Sequence, residues 1–223
     1  ISDSFTSSLA KLTGEEQKLV KTTAFDLQMN PERPGHSFHK LDRATDKHFW
    51  SVRVSSDLRI IVHQSESNLM LCFVGHHDKA YQWAERRKLE THPQTGAAQW
   101  VEIREYLTEH VGSKPVEAPA VSIEPPKLFA SYSPEDLLRY GVPEEWLADV
   151  LAATEDSLLE LATHLPGEAA EAVLDLAVGK IPTPPPPKVS ENPFEHPDAR
   201  RRFRIVDNQE ELAQALEFPW EKW

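Results

Sequence analysis

The sequence predicts an α+β fold: two helices packed on a small antiparallel sheet, then a small helical domain and a short strand–helix tail. Three observations carry this. Apolar residues recur at helical spacing over residues 4–30, the period falls to two over residues 48–75, and helical spacing with strong start signals returns over residues 133–180.

Ser4 is the expected first N-cap, and Phe5, Leu9 and Leu12 share the face that follows. Thr13 and Glu16 stand at capping-box spacing and restart a helix through Leu19, Val20, Ala24, Leu27 and Met29, which Pro31, Pro34 and Gly35 end. In His48–Ser55 the residues alternate, with Phe49, Ser51 and Arg53 on one face and Trp50, Val52 and Val54 on the other. LRIIVHQ and LMLCFVG follow across short polar turns, which makes a three-stranded meander. Residues 79–90 and 97–110 are expected to return to helix.

Ser133-Pro134-Glu135-Asp136 is a helix start, with serine at the cap, proline at the first turn and acids behind it. Gly141-Val142-Pro143 is a turn, Thr154 starts a further helix, and Pro166-Gly167-Glu168 starts the last of the set. RRFRIV (201–206) is expected as a basic strand, and NQEELAQALE as a helix capped by Asp207 or Asn208. The expected organisation is therefore an α+β domain at 1–111, a Pro-rich linker at 112–127, an acidic helical domain at 128–181, a second Pro-rich linker at 182–199 and a strand–helix segment at 200–223. The chain opens on Ile1 and ends on Trp220-Glu221-Lys222-Trp223, so it is expected to be part of a longer protein.

At 223 residues with 39% hydrophobic and 27% charged residues, the chain is of globular rather than disordered composition. It has no apolar run of membrane-spanning length and no signal-peptide pattern at its start. The single cysteine, Cys72, excludes an internal disulfide framework and any multi-cysteine zinc site, and suggests a cytoplasmic protein. Cys72 is expected as a buried small apolar residue within its strand. The net charge of −12 is uneven: residues 1–112 hold 14 basic and 15 acidic side chains, residues 113–223 hold 10 and 21. The acidic half is poorly suited to phosphate and well suited to docking on a basic surface.

The meander F49-W50-S51-V52-R53-V54-S55-S56-D57-L58-R59-I60-I61-V62, with V74-G75-H76-H77-D78-K79-A80-Y81 after it and H39-K40-L41 before it, resembles the RelE/YoeB toxin superfamily over roughly residues 1–90. The resemblance implies a ribonuclease that cuts messenger RNA in the ribosome by attack of a 2′-hydroxyl on the adjacent phosphate. That chemistry needs a proton acceptor, a proton donor and cations around the phosphate. By position, the resemblance assigns Arg59 to the phosphate and His77 and Tyr81 to the catalytic group; His76 is a second candidate acid/base group on the chemistry of an imidazole. Lys40 and Arg53 become RNA-backbone contacts.

Several residues depart from the family pattern. The stretch His36-Ser37-Phe38-His39 holds no glutamate, although Asp42 and Asp46 lie nearby, and Trp50 and Val52 stand where one branch carries lysines. These departures lower the expected cleavage. Each site residue also has a structural reading: Arg59 in a salt bridge with Asp57 or Asp46, His76 and His77 in a solvated turn, Tyr81 as an anchor for its helix, Arg53 on a solvated face. His36-x-x-His39 and His76-His77-Asp78 are the histidine groupings weighed for a metal, and neither has the spacing of a known site, so no metal and no cofactor are expected.

Residues R202-F203-R204-I205-V206, E210-E211-L212, L216 and P219-W220-E221-K222-W223 resemble the segment ahead of the ATPase core in UvrD-like helicases, some of which carry a RelE-like domain at the N-terminus. No Walker A sequence is present in these 223 residues. Leu137–Pro143 is similar to the hairpin of helix-hairpin-helix DNA modules, but its acidic surroundings favour a structural or protein-docking bundle. The leading expectation is a RelE-fold accessory region of a UvrD-like helicase that binds nucleic acid or a partner, with weak or absent nuclease activity. The alternatives are a ribosome-dependent endoribonuclease held in check by intramolecular docking of its acidic half, and a structural protein-interaction module. RNA, the ribosome or DNA are the partners expected, and no membrane.

Overall fold

The computed structural model describes residues 1–30, 38–65, 68–104, 126–186 and 191–217. The chain divides into two compact units, residues 1–87 with 199–223 and residues 88–198. Most of the first expected linker (112–127) lies outside the described residues.

In the first unit, α1 (Asp3–Leu9) and α2 (Gly14–Met29) precede four strands, β1 (Phe38–Lys40), β2 (Phe49–Arg53), β3 (Leu58–Gln64) and β4 (Leu69–His76). The strands form one antiparallel sheet in sequence order, so the meander gains a short fourth strand at its β1 edge. Thr13 and Glu16 form the expected capping box of α2. The cap of α1 is Ser2, two residues ahead of the expected Ser4.

Alternation along the strands gives the sheet two faces. Val52, Leu58, Ile60, Val62, Leu71 and Val74 join Phe5 and Leu9 of α1 and Val20, Ala24 and Leu27 of α2 in one core. Leu212 and Leu216 of the last helix, Gln209–Glu217, complete that core, so the C-terminal stretch belongs to the first unit. The expected strand at 201–206 is instead a single bridge, Ser2 to Phe203, after a short helix at Pro197–Arg200. The opposite face carries Phe49, Ser51, Arg59, Ile61 and Phe73, and is covered by α3 (His77–Glu85), where Trp83 stacks on Phe73 at 5.2 Å between ring centroids.

A bulge between Ile61 and Val62 on the β3–β4 ladder leaves Cys72 without an opposite residue. The outward edge of β4 is covered by α1. Ser2 and Ser4 donate their hydroxyls to the Cys72 carbonyl at 2.8 and 2.7 Å, the Ser2 amide donates to Leu71, and the Val74 amide donates to Ser8 Oγ. Serine side chains thereby satisfy backbone groups that an open edge would offer to another chain.

The second unit corrects two helix expectations. Residues 87–91 form β5 (Arg87–Thr91) and residues 98–102 form β6 (Ala98–Glu102), a two-stranded sheet. Of the first stretch only 79–85 is helical, as part of α3, and 105–110 of the second lies outside the described residues. The strands pair because the 92–97 turn is closed by the buried His92, whose Nδ1 accepts from the Gln94 and Thr95 amides while Nε2 lies 3.0 Å from the Val142 carbonyl. Then come α4 (Pro134–Arg139), a 3-10 turn (Glu144–Trp146), α5 (Leu147–Ala152), α6 (Glu155–His164) and α7 (Gly167–Ala177). The short helix at 197–200 is α8 and the last helix is α9.

Ser133 and Asp136 form the capping box of α4. Gly141, at φ 83°, ends that helix; its amide donates to Leu138 and the Val142 amide to Leu137, the paired bonds of a Schellman ending. Leu137, Val142, Trp146, Val150, Leu161 and Val173 share the second core with Val101 of β6. The hairpin-like Leu137–Pro143 stretch thus places its apolar residues inward. Among the described residues, no helix is long and apolar enough to cross a membrane.

Candidate functional site

Five of the six residues singled out in the sequence meet at the end of the sheet where β2 turns into β3 and β4 runs into α3. The register pairs Arg53 with Arg59, Arg59 with Gly75, and Leu58 with His76. Lys40 is elsewhere. It pairs with Trp50 on β1, its ammonium 5.8 Å from the Trp50 ring centroid, on the face that carries the α1–α2 core.

The two adjacent histidines lie on opposite sides of this rim. His76 pairs with the core-facing Leu58 and faces α2: its Nδ1 is 2.7 Å from Asp57 Oδ2 and its Nε2 is 3.6 Å from Glu16 Oε1. The hydrogen bond from His76 holds the Asp57 carboxyl below the ordinary aspartate range. Glu16 is held low mainly by its capping bonds to Thr13.

His77 opens α3 on the other side. Its amide donates to the Asp57 carbonyl at 2.9 Å, its Nδ1 is 3.0 Å from Asp78 Oδ1, and its ring stacks on Tyr81 at 4.3 Å between centroids. The Tyr81 hydroxyl is 3.0 Å from Ser51 Oγ, so the stack is fixed to the sheet. His77 and Tyr81 stand one helical turn apart, which is why they stack. Arg53, exposed at the end of β2, is on the same face as Ser51.

Arg59 is buried, and its partners are neither of the carboxylates expected. Nη1 donates to the carbonyls of Ser55 (3.0 Å) and Leu58 (2.9 Å), and Nη2 reaches the Ser56 carbonyl at 3.4 Å. Asp57 instead meets His76, and Asp46 meets two other histidines. The guanidinium is thus the staple of the β2–β3 turn.

No family model, curated protein or solved structure matches the chain. The chemistry at this rim therefore rests on its own geometry. It offers two imidazoles and a phenol. Both ring nitrogens of His76 face carboxylates, Asp57 on one side and Glu16 on the other. The His77–Tyr81 stack presents aromatic surface, and Arg53 stands exposed at the end of β2 on the same sheet face as Ser51, a pairing that suits a base and its phosphate.

A second cluster was not among the histidine groupings weighed in the sequence. Asp46, in the segment ahead of β2, lies with Oδ1 3.0 Å from His48 Nδ1 and Oδ2 3.2 Å from His63 Nε2. It forms because the β2–β3 register pairs Phe49 with His63, which brings the residue after His48 opposite β3. In the His36-x-x-His39 grouping His36 lies outside the described residues, and in His76-His77-Asp78 the two imidazoles diverge.

Proposed function

We propose that the first unit is a RelE-like nucleic-acid-binding module with weak or absent nuclease activity, serving as an accessory region of a UvrD-like helicase. The observation that carries the binding reading is the His77–Tyr81 stack, with His77 half-exposed and Tyr81 anchored on Ser51, on the sheet face that also carries Arg53. Single-stranded nucleic acid is held by such stacking platforms with a nearby cation, and any base can stack. The order of two helices followed by an antiparallel meander supports the RelE-like arrangement.

Weak cleavage follows from Arg59. A guanidinium already donating to three carbonyls of its own turn is poorly placed to meet charge developing on a phosphate. Charge also favours a local patch over a broad basic surface. The first unit holds 17 basic and 16 acidic residues, the second 7 and 20, so phosphate is directed to the first. The helicase part of the reading rests on the resemblance of residues 202–223, of which 218–223 lie outside the described residues.

The test uses the whole 223-residue chain with fluorescent single-stranded RNA and DNA, because α9 completes the core of the first unit. Binding is expected to weaken steeply between about 50 and 200 mM salt. Arg53→Ala should flatten the salt dependence and Tyr81→Ala should weaken binding at every salt concentration. Absence of binding at low salt overturns the reading in favour of a structural interaction module. Efficient RNA cleavage with ribosomes, lost in His77→Ala, replaces it with the toxin reading.

A further inference from the structure

We propose that Asp46, His48 and His63 form a binding site for a divalent transition cation of the zinc class. One carboxylate and two imidazoles are a donor set that zinc and its neighbours in the first transition row accept readily. The three ligand atoms lie within 4.8 Å of one another, and among the described residues there is no second cluster of this kind. Ligand atoms around a tetrahedral zinc are about 3.3 Å apart, since each sits roughly 2.0–2.1 Å from the metal. Asp46 turns one carboxylate oxygen to each imidazole, Oδ1 to His48 Nδ1 at 3.0 Å and Oδ2 to His63 Nε2 at 3.2 Å, so both nitrogens already face the carboxylate that would share the cation.

The surroundings hold the ligands in place. The side chains of Asp46 and His63 are 7% and 11% exposed, while that of His48 is 66% exposed, so the cluster opens to solvent on the His48 side. His63 is fixed by its place in β3 and by the edge of the Phe49 ring at 5.4 Å. Asp46 Oδ1 accepts the His48 amide, and the Asp46 carbonyl accepts the Phe49 amide, so the aspartate caps its own turn. Lys47 points its ammonium at the Asp42 and Ala44 carbonyls, which ties down the loop and keeps that cation on backbone oxygens.

With three protein ligands the cation keeps at least one coordination position for water or an anionic group. The site is carried by its own geometry and does not depend on the nucleic-acid reading.

The experiment is calorimetric titration of the chelator-treated full chain with zinc chloride, paired with optical spectra of the cobalt-substituted protein. One cation per chain is expected, with d–d absorption typical of low-coordinate nitrogen and oxygen ligation. His48→Ala, on an exposed side chain, should fold normally and lose more than the roughly 10–100-fold in affinity that a supporting residue costs. His63→Gln should do the same, with its fold checked by circular dichroism. His76→Ala should leave binding unchanged. No saturable binding to the parent chain, or binding equally strong in both His48→Ala and His63→Gln, overturns the proposal.

Discussion

Ser51 and Tyr81 join the sheet to the helix that carries the rim, their hydroxyl oxygens 3.0 Å apart with Ser51 fully buried. The bond sets the height of the Tyr81 ring and hence of His77 stacked on it. Tyr81→Phe and Ser51→Ala are each expected to cost about 0.5–1.5 kcal/mol of stability in urea unfolding, and the double variant about as much as the costlier single one. Nucleic-acid affinity should survive Tyr81→Phe, which keeps the ring, and fall in Tyr81→Ala.

Arg59→Ala tests the staple. It removes the donor shared by the Ser55, Ser56 and Leu58 carbonyls in a buried setting, so a loss on the order of 2–3 kcal/mol is expected. Arg59→Lys should recover little of it, because one ammonium on a flexible stem does not reproduce the planar fork. A variant of unchanged stability would return Arg59 to a role outside the turn.

His92 makes the second unit sensitive to acid. Burial pushes its imidazole below the ordinary histidine value, and Nδ1 accepts two amides, which requires the neutral ring. The unfolded chain therefore binds the extra proton first. Stability is full above about pH 6.5 and falls as pH drops below it. A series of thermal melts from pH 7.5 to 5 should show this slope, and His92→Gln should start lower and depend less on pH.

Cys72 should not react in the native state. It is fully buried in the bulge, and desolvation pushes its thiol well above the ordinary value. Labelling by an aromatic disulfide reagent is expected only at the rate of unfolding. Prompt labelling of one thiol per chain would contradict the placement of the bulge beneath α1.

Leu212→Ala should destabilise the first unit, although Leu212 lies far along the chain from the sheet. Its side chain is 3% exposed within the α1–α2 core, so a loss of about 2–5 kcal/mol is expected by chemical denaturation.

The strands at 49–53, 58–64 and 69–76 were legible because each alternates or runs apolar between polar turns, and the helices at 14–29, 134–139 and 155–164 because each carries its cap in the sequence. β1 was not, since Phe38-His39-Lys40 is too short to show a period and is held by its pairing with β2. β5 and β6 read as helix because RKLET and AQWVE are short and neither alternates strictly, and only their mutual pairing and the His92 turn decide otherwise. At the rim, the placement of Arg53, His77 and Tyr81 toward one end of the sheet was visible as strand order, but the split between His76 and His77 was not, because it depends on where β4 gives way to α3. Arg59 was expected beside a carboxylate; backbone carbonyls one to four residues away took it, and charge patterning does not register those. The Asp46–His48–His63 cluster depends on cross-strand register, which joins residues 15 apart in the chain.

The insertion of residues 88–198 into the first unit has a bearing on synthesis. A ribosome releases α1, α2 and the sheet well before α9. At about 5–20 residues per second, the intervening stretch takes on the order of 10 s to make. Throughout that interval the stripe of Val20 and Leu27 lacks Leu212 and Leu216, while every residue of the inserted unit emerges before α9 does. The half that begins first is thus the half that finishes last, and a nascent chain stalled before residue 209 would display an apolar groove that chaperones are built to hold.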